Sequence, residues 1–87
     1  LEFSITEEDI KELLQHQNNK CYYLNIPFDN NNDRYSLSID RINSSKGYIK
    51  GNIRLITSMV NYMKAEYSEE EFFETIKMLY NNHFKNM

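Results

Sequence analysis

Eighty-seven residues suffice for one small domain and are too few for two, so every element has to share a single core. With 40% hydrophobic and 26% charged residues, and no apolar run near the roughly 20 residues that cross a bilayer, the composition matches a soluble globular domain with no membrane partner. The formal charge of −3 argues against a uniformly basic nucleic-acid binder but hides a segregation: from Arg34 to Lys64 six basic residues stand against Asp40 alone, while the flanks hold four basic and twelve acidic residues.

The chain begins at Leu1 without Met and shows no charged-then-apolar leader, so the expectation is a piece of a longer polypeptide whose remainder is a partner. Its single cysteine, Cys21, makes no internal disulfide, which points to an intracellular setting and to a small buried hydrophobe at that position. The oligomeric state is left open.

Thr6 followed three residues later by Asp9 resembles a helix cap, and Ile10, Leu13, Leu14 and Gln17 share one helical face, which predicts a helix over about Glu7 to Gln17. Cys21 to Phe28 is a short aromatic stretch broken by Pro27, and the polar run from Asp29 to Asp33 is a loop. From Tyr35 to Ile42 apolar residues alternate with Ser36, Ser38 and Asp40, the period of a half-buried strand, with Asp40 on the face opposite Leu37 and Ile39. Turn formers fill Asn43 to Gly51, and a second strand follows over Ile53 to Ile56. Ser58 to Glu66 reads as a short helix with Val60 and Met63 inward. Ser68 with Glu71 makes a capping box before a helix whose stripe, Phe72, Phe73, Ile76, Leu79 and Tyr80, is expected in the core.

A strand ending in Asp40, a polar loop, a second strand and a short helix bearing Asn61 aim two oxygen ligands at one place, the donor type that a hard divalent cation such as Mg²⁺ prefers. Around them Arg41, Lys46, Lys50, Arg54 and Lys64 are candidates to position phosphates, and Tyr48 to stack on a sugar or base.

The runs Ser38-Ile39-Asp40-Arg41-Ile42, Lys46-Gly47-Tyr48, Asn52-Ile53-Arg54-Leu55 and Asn61-Tyr62-Met63-Lys64 resemble the HNH, or His-Me finger, endonuclease motif in its phage and mobile-element form. The resemblance implies an α+β domain over residues 1–87, a ββα-metal finger at about 35–66 between flanking helices, and a DNA phosphodiester hydrolase using Mg²⁺ or Mn²⁺. It implies Asp40 and Asn61 as metal ligands, Asn52 as the residue that braces the loop carrying the general base, and Lys64 as the basic position closing the motif; Asp40, Arg41, Asn52 and Asn61 form the implied catalytic set.

Two departures stand out. The paired CxxC knuckles of many HNH proteins are absent, since Leu24, Thr57 and Val60 occupy the other thiolate positions, so no structural zinc is expected and helix packing has to replace it. Arg41 stands where the first motif His belongs and cannot accept a proton, although it can clamp a phosphate bidentately. A related Asp-Arg-Gly-His arrangement would put the base at Asn43, also a poor one. The base then comes from His16, His83, Tyr48 or metal-bound water. The alternative is a DNA-binding or targeting module of a larger DNA-processing protein that keeps the finger without cleavage.

Overall fold

The computed structural model describes residues 1–85, an α+β arrangement of three helices and one two-stranded antiparallel hairpin in the predicted order. Helix α1 (Glu7–His16) begins where the Thr6 hydroxyl accepts from the Asp9 amide and the Asp9 carboxylate accepts from the Thr6 amide, so two otherwise orphaned donors are satisfied reciprocally. Gln17, just past its end, spans the backbone of Leu55 with both ends of its amide, at 2.8 and 3.0 Å, and pins the helix to the hairpin.

Strands β1 (Leu37–Arg41) and β2 (Ile53–Thr57) pair so that Asp40 faces Arg54, Ser38 faces Ile56 and Arg41 faces Ile53. Directly opposed residues share a face, so Ser38, Asp40, Arg54 and Ile56 lie on one side and Leu37, Ile39, Arg41, Ile53 and Leu55 on the other. β1 is shorter than the predicted Tyr35–Ile42 because Tyr35 turns back to the Asn32 carbonyl and β2 ends at Thr57, so residues before Leu37 have no strand to pair with.

β2 runs into helix α2 (Ser58–Lys64) without a loop, since Thr57 is both the last strand residue and the helix cap. The amides of Ser58 and Met59 donate to the carbonyls of Ser36 and Arg34, and Val60 donates to the Thr57 hydroxyl. The first turn of α2 is thereby satisfied by protein. α2 stops two residues before the predicted Glu66, at Ala65, whose φ of 49° leaves the helical region. Its inward residues are Val60, as predicted, and Lys64 in place of the predicted Met63, which is 50% exposed.

Cys21, Ile56 and Val60 form the buried cluster, packed by Tyr23, Ile26, Phe28 and Phe72, with Ile53 and Leu55 buried beside the other face of the hairpin. Cys21 is the small buried group expected of it. Helix α3 (Glu69–His83) opens with the predicted capping box of Ser68 and Glu71, but its apolar stripe is a correction: no residue of α3 is buried, and only Phe72 packs against the core. Strands of five residues extend about 17 Å. A helix of fifteen extends about 22 Å, and α2 with the 21–28 segment already covers the face that α3 approaches.

Candidate functional site

Strand side chains two apart and helix side chains three apart recur at similar intervals, and here the two ladders meet. Ser38 and Asp40 point to the face that α2 covers, and Asn61 and Lys64 point back. The Asn61 Nδ2 donates to the Ser38 hydroxyl at 2.6 Å, and the Lys64 ammonium donates to Asp40 Oδ1 at 3.1 Å. Asp40 is 4% exposed and Lys64 3%, so both charges are withdrawn from water and depend on each other. The second carboxylate oxygen, Oδ2, is buried without a hydrogen-bond partner among the described residues.

Asp40 and Asn61, the predicted ligand pair, thus lie on one face. With Nδ2 used on Ser38, Asn61 has its Oδ1 to offer, and Asp40 has Oδ2; a carboxylate and an amide oxygen completed by water is a donor set that fits Mg²⁺ or Mn²⁺. Among the described residues there is no group of three or more His, Cys, Asp or Glu suited to a metal. A cation on this face therefore rests on the carboxylate–amide pair. Ser38, which orients Asn61, escaped the sequence reading although the alternation already put it on the Asp40 face.

Asn52 is buried and braces the 43–47 loop from within. Its Nδ2 donates to the carbonyls of Asn43 and Gly47 at 3.1 and 2.8 Å, and its Oδ1 accepts from the Asn43 amide at 2.9 Å. Gly47 is indispensable for another reason, because a Cβ there would stand 1.9 Å from the Glu2 carbonyl oxygen. The N-terminal segment lies against this loop, with Tyr48 bonded to Glu2 and Ser4 through the backbone and its ring tilted against Phe3.

Arg41 is turned to the face opposite Asp40. Its Nη1 donates to the carbonyls of Ser44 and Lys46 at 3.0 and 3.3 Å, and its guanidinium lies over the Tyr48 ring at 5.2 Å. Both residues, expected to meet DNA, are engaged with the loop.

Half of the basic centre is paired from within, Lys64 with Asp40, Arg54 with Glu69 and Lys50 with Asp9 and Glu12. Arg54 binds Glu69 at 2.7 Å, donates to the Tyr23 hydroxyl at 3.2 Å and stacks on Tyr22 at 4.2 Å, an arrangement the sequence reading missed because Glu69 is fifteen residues away. Burial alone would lower the Arg54 pKa, but the bonds to Tyr23 and Glu69 outweigh it and raise it. Burial pushes the Tyr23 hydroxyl up to about 12, with the Asp40 and Glu69 charges adding to the shift and the Arg54 bond opposing it. Lys50 stands 3.8 Å from both Asp9 and Glu12. Lys46 and Arg34 are exposed and form no ion pair with the described residues.

Neither histidine approaches Asp40 from the finger. His16 lines a hollow with Leu13, Lys50 and Ile53 on the opposite side of the hairpin, and His83 ends α3 beside Asn82.

No protein-family model and no solved structure matches the chain. The chain is similar to an uncharacterized 29.0 kDa protein in the dda-modA intergenic region of Enterobacteria phage T4, 33% identical over 73 residues that cover 84% of this chain and 29% of that protein. It is also similar to uncharacterized protein R423 of Acanthamoeba polyphaga mimivirus, 34% identical over 85 residues that cover 98% of this chain and 14% of that protein. The chain thus spans less than a third of the length of either viral relative.

Proposed function

We propose that this chain is an HNH-type ββα finger that binds DNA and hydrolyses its phosphodiester bonds with Mg²⁺ or Mn²⁺ held by Asp40 and Asn61. The observation that carries the proposal is Asp40 Oδ2, a buried carboxylate oxygen without a partner among the described residues, on the face where Asn61 presents its amide. Leaving such an oxygen unsatisfied costs about 1–3 kcal/mol or more for a charged group, a cost that a ligand on this face removes.

The residues divide the work. Lys64 fixes the carboxylate through Oδ1 and leaves the buried Oδ2 free to accept, Ser38 orients Asn61, and Asn52 holds the loop between the strands in one shape. A bound cation supplies Lewis-acid stabilisation of the phosphate and of the leaving oxygen. This finger offers no imidazole to receive the proton of the attacking water and Arg41 cannot take it, so a cation held by Asp40 and Asn61 would acidify that water and its proton would pass to solvent.

A second reading, a finger that binds DNA without cutting, is favoured by the buried Lys64–Asp40 pair, which already meets the carboxylate with a positive charge. Supercoiled plasmid incubated with Mg²⁺, Mn²⁺ or EDTA separates the two. Hydrolysis predicts nicking that needs metal and disappears in Asp40→Ala. Retained DNA binding with no nicking under any metal replaces the first reading by the second.

A further inference from the structure

Three contacts close the seam between α2 and the 36–40 stretch of chain, and they step along it in register. Asp40 meets Lys64, Ser38 meets Asn61, and the hydroxyls of Ser36 and Ser58 lie 2.6 Å apart. At Ser58 the seam borders an open hollow, lined by Ser58, Met59 and Tyr62 of α2 and by Asp33 and Arg34 of the loop before β1. Ser58 precedes Asn61 by three residues, an axial rise of about 5 Å, so the hollow adjoins the face proposed to hold the cation.

Two side chains in this hollow are left without partners of their own kind. Tyr62 is 86% exposed and its ring stacks on no other aromatic among the described residues, whereas Tyr22, Tyr23, Tyr48 and Tyr80 each lean on a neighbouring ring. Arg34 is fixed at its backbone, where its amide donates to Asn32 Oδ1 at 2.9 Å and its carbonyl accepts from the Met59 amide at 3.0 Å. Its guanidinium is exposed and forms no ion pair with the described residues, not even with Asp33 beside it.

A guanidinium on a fixed backbone next to an uncovered ring matches the two halves of a nucleotide. The cation takes phosphate oxygens, and the ring takes the face of a base. Stacking selects further, because the bases of a duplex already cover each other and a base face becomes available only when the nucleotide leaves the stack. Asp33 on the rim repels an anion and so holds the affinity down.

We propose, on the reading that this finger binds DNA, that Arg34 and Tyr62 form a subsite for an unpaired nucleotide flanking the Asp40–Asn61 position. The substrate is then single-stranded DNA, or DNA opened at the point of contact. Arg34 holds the phosphate and Tyr62 the base.

The chain contains no tryptophan, so Tyr62→Trp installs a single fluorophore at the subsite. With EDTA present to prevent cleavage, a single-stranded oligodeoxynucleotide should quench its emission, and the blunt duplex of the same sequence should leave it nearly unchanged. Fluorescence anisotropy with the same labelled DNAs should show the wild type preferring the single strand. Tyr62→Ala should weaken that complex about five-fold or more, and Tyr62→Phe should keep most of it. Arg34→Ala should weaken it as well, and Asp33→Asn should tighten it. Equal quenching by the duplex, or wild-type affinity for the single strand in Tyr62→Ala, overturns the subsite and leaves a DNA-binding finger in place. A wild type that binds neither DNA overturns both. Binding as expected by a finger that never nicks plasmid keeps the subsite and assigns the molecule to the non-cleaving reading.

Discussion

The Lys64 ammonium and the Asp40 carboxylate meet at 3.1 Å in a place where neither has significant contact with water. Removing one partner strands the other charge. Lys64→Met should therefore cost about 3–5 kcal/mol in denaturant unfolding, and Asp40→Leu/Lys64→Met distinctly less than the sum of its single variants. If Asp40 also receives a divalent cation, millimolar Mg²⁺ should raise the melting temperature of Lys64→Met more than that of the wild type, because the ion then replaces the missing charge. Equal shifts in the two proteins would remove Asp40 from the list of ligands.

Asn52 offers a test in which two near-isosteres differ. Asn52→Ala should lose about 1–3 kcal/mol by leaving buried loop groups unpaired. Asn52→Asp should be at least as damaging, since a carboxylate oxygen would face the Asn43 and Gly47 carbonyls that the Nδ2 now satisfies. Amide hydrogen exchange should accelerate at Asn43 in both variants. Protection there that stays at the wild-type level would mean that the turn holds its shape without the bracket.

Alkaline stability follows from Tyr23. The fold raises its pKa from 10.0 to about 12, so its contribution is fully present below about pH 10 and is lost as the pH climbs through the folded value. Melting temperature should fall over that interval, and Tyr23→Phe should show a shallower fall between pH 10 and 12 than the wild type. An identical slope in the two proteins would assign the alkaline transition to other groups.

If the chain binds DNA as proposed, affinity should rest on the exposed basic residues that form no ion pair among the described residues. Lys46→Ala and Arg34→Ala should each weaken binding and reduce the slope of log affinity against log salt by about 1. Arg54→Ala should instead lower stability through the loss of Glu69 and Tyr23, with the salt slope retained. Should Arg54→Ala flatten the slope while Lys46→Ala leaves it alone, the contact surface would lie on the Tyr22 side of the molecule.

Both capping boxes were legible from the sequence because the interacting atoms lie three residues apart and need no tertiary context. The period-two alternation likewise foretold which side of the hairpin Asp40 would share with Ser38. The depth of Lys64 was not legible, since a lysine is buried only where a partner waits, and that partner is 24 residues earlier. Periodicity misled most at α3: it reports that a helix has an apolar stripe and is silent on whether the rest of the chain is large enough to cover it. The engagement of Arg41 and Tyr48 with their own loop was invisible for a related reason, as it depends on where the Glu2 backbone passes.

Thr57 has a bearing on how this chain tolerates changes in length. With no residue between β2 and α2, the rotational phase of the helix is set by the strand. One inserted residue at this junction would turn Asn61 and Lys64 by about 100° and advance them about 1.5 Å, which takes both off the Asp40 face at once. The 29–33 segment, held by short-range bonds from Asp29 and Asn32 side chains to nearby amides, has no such coupling, since the tie to α2 is made one residue later at the Arg34 carbonyl. Insertions and deletions in natural variants should therefore collect there, while the Thr57–Ser58 step keeps its length even where the residues on either side change.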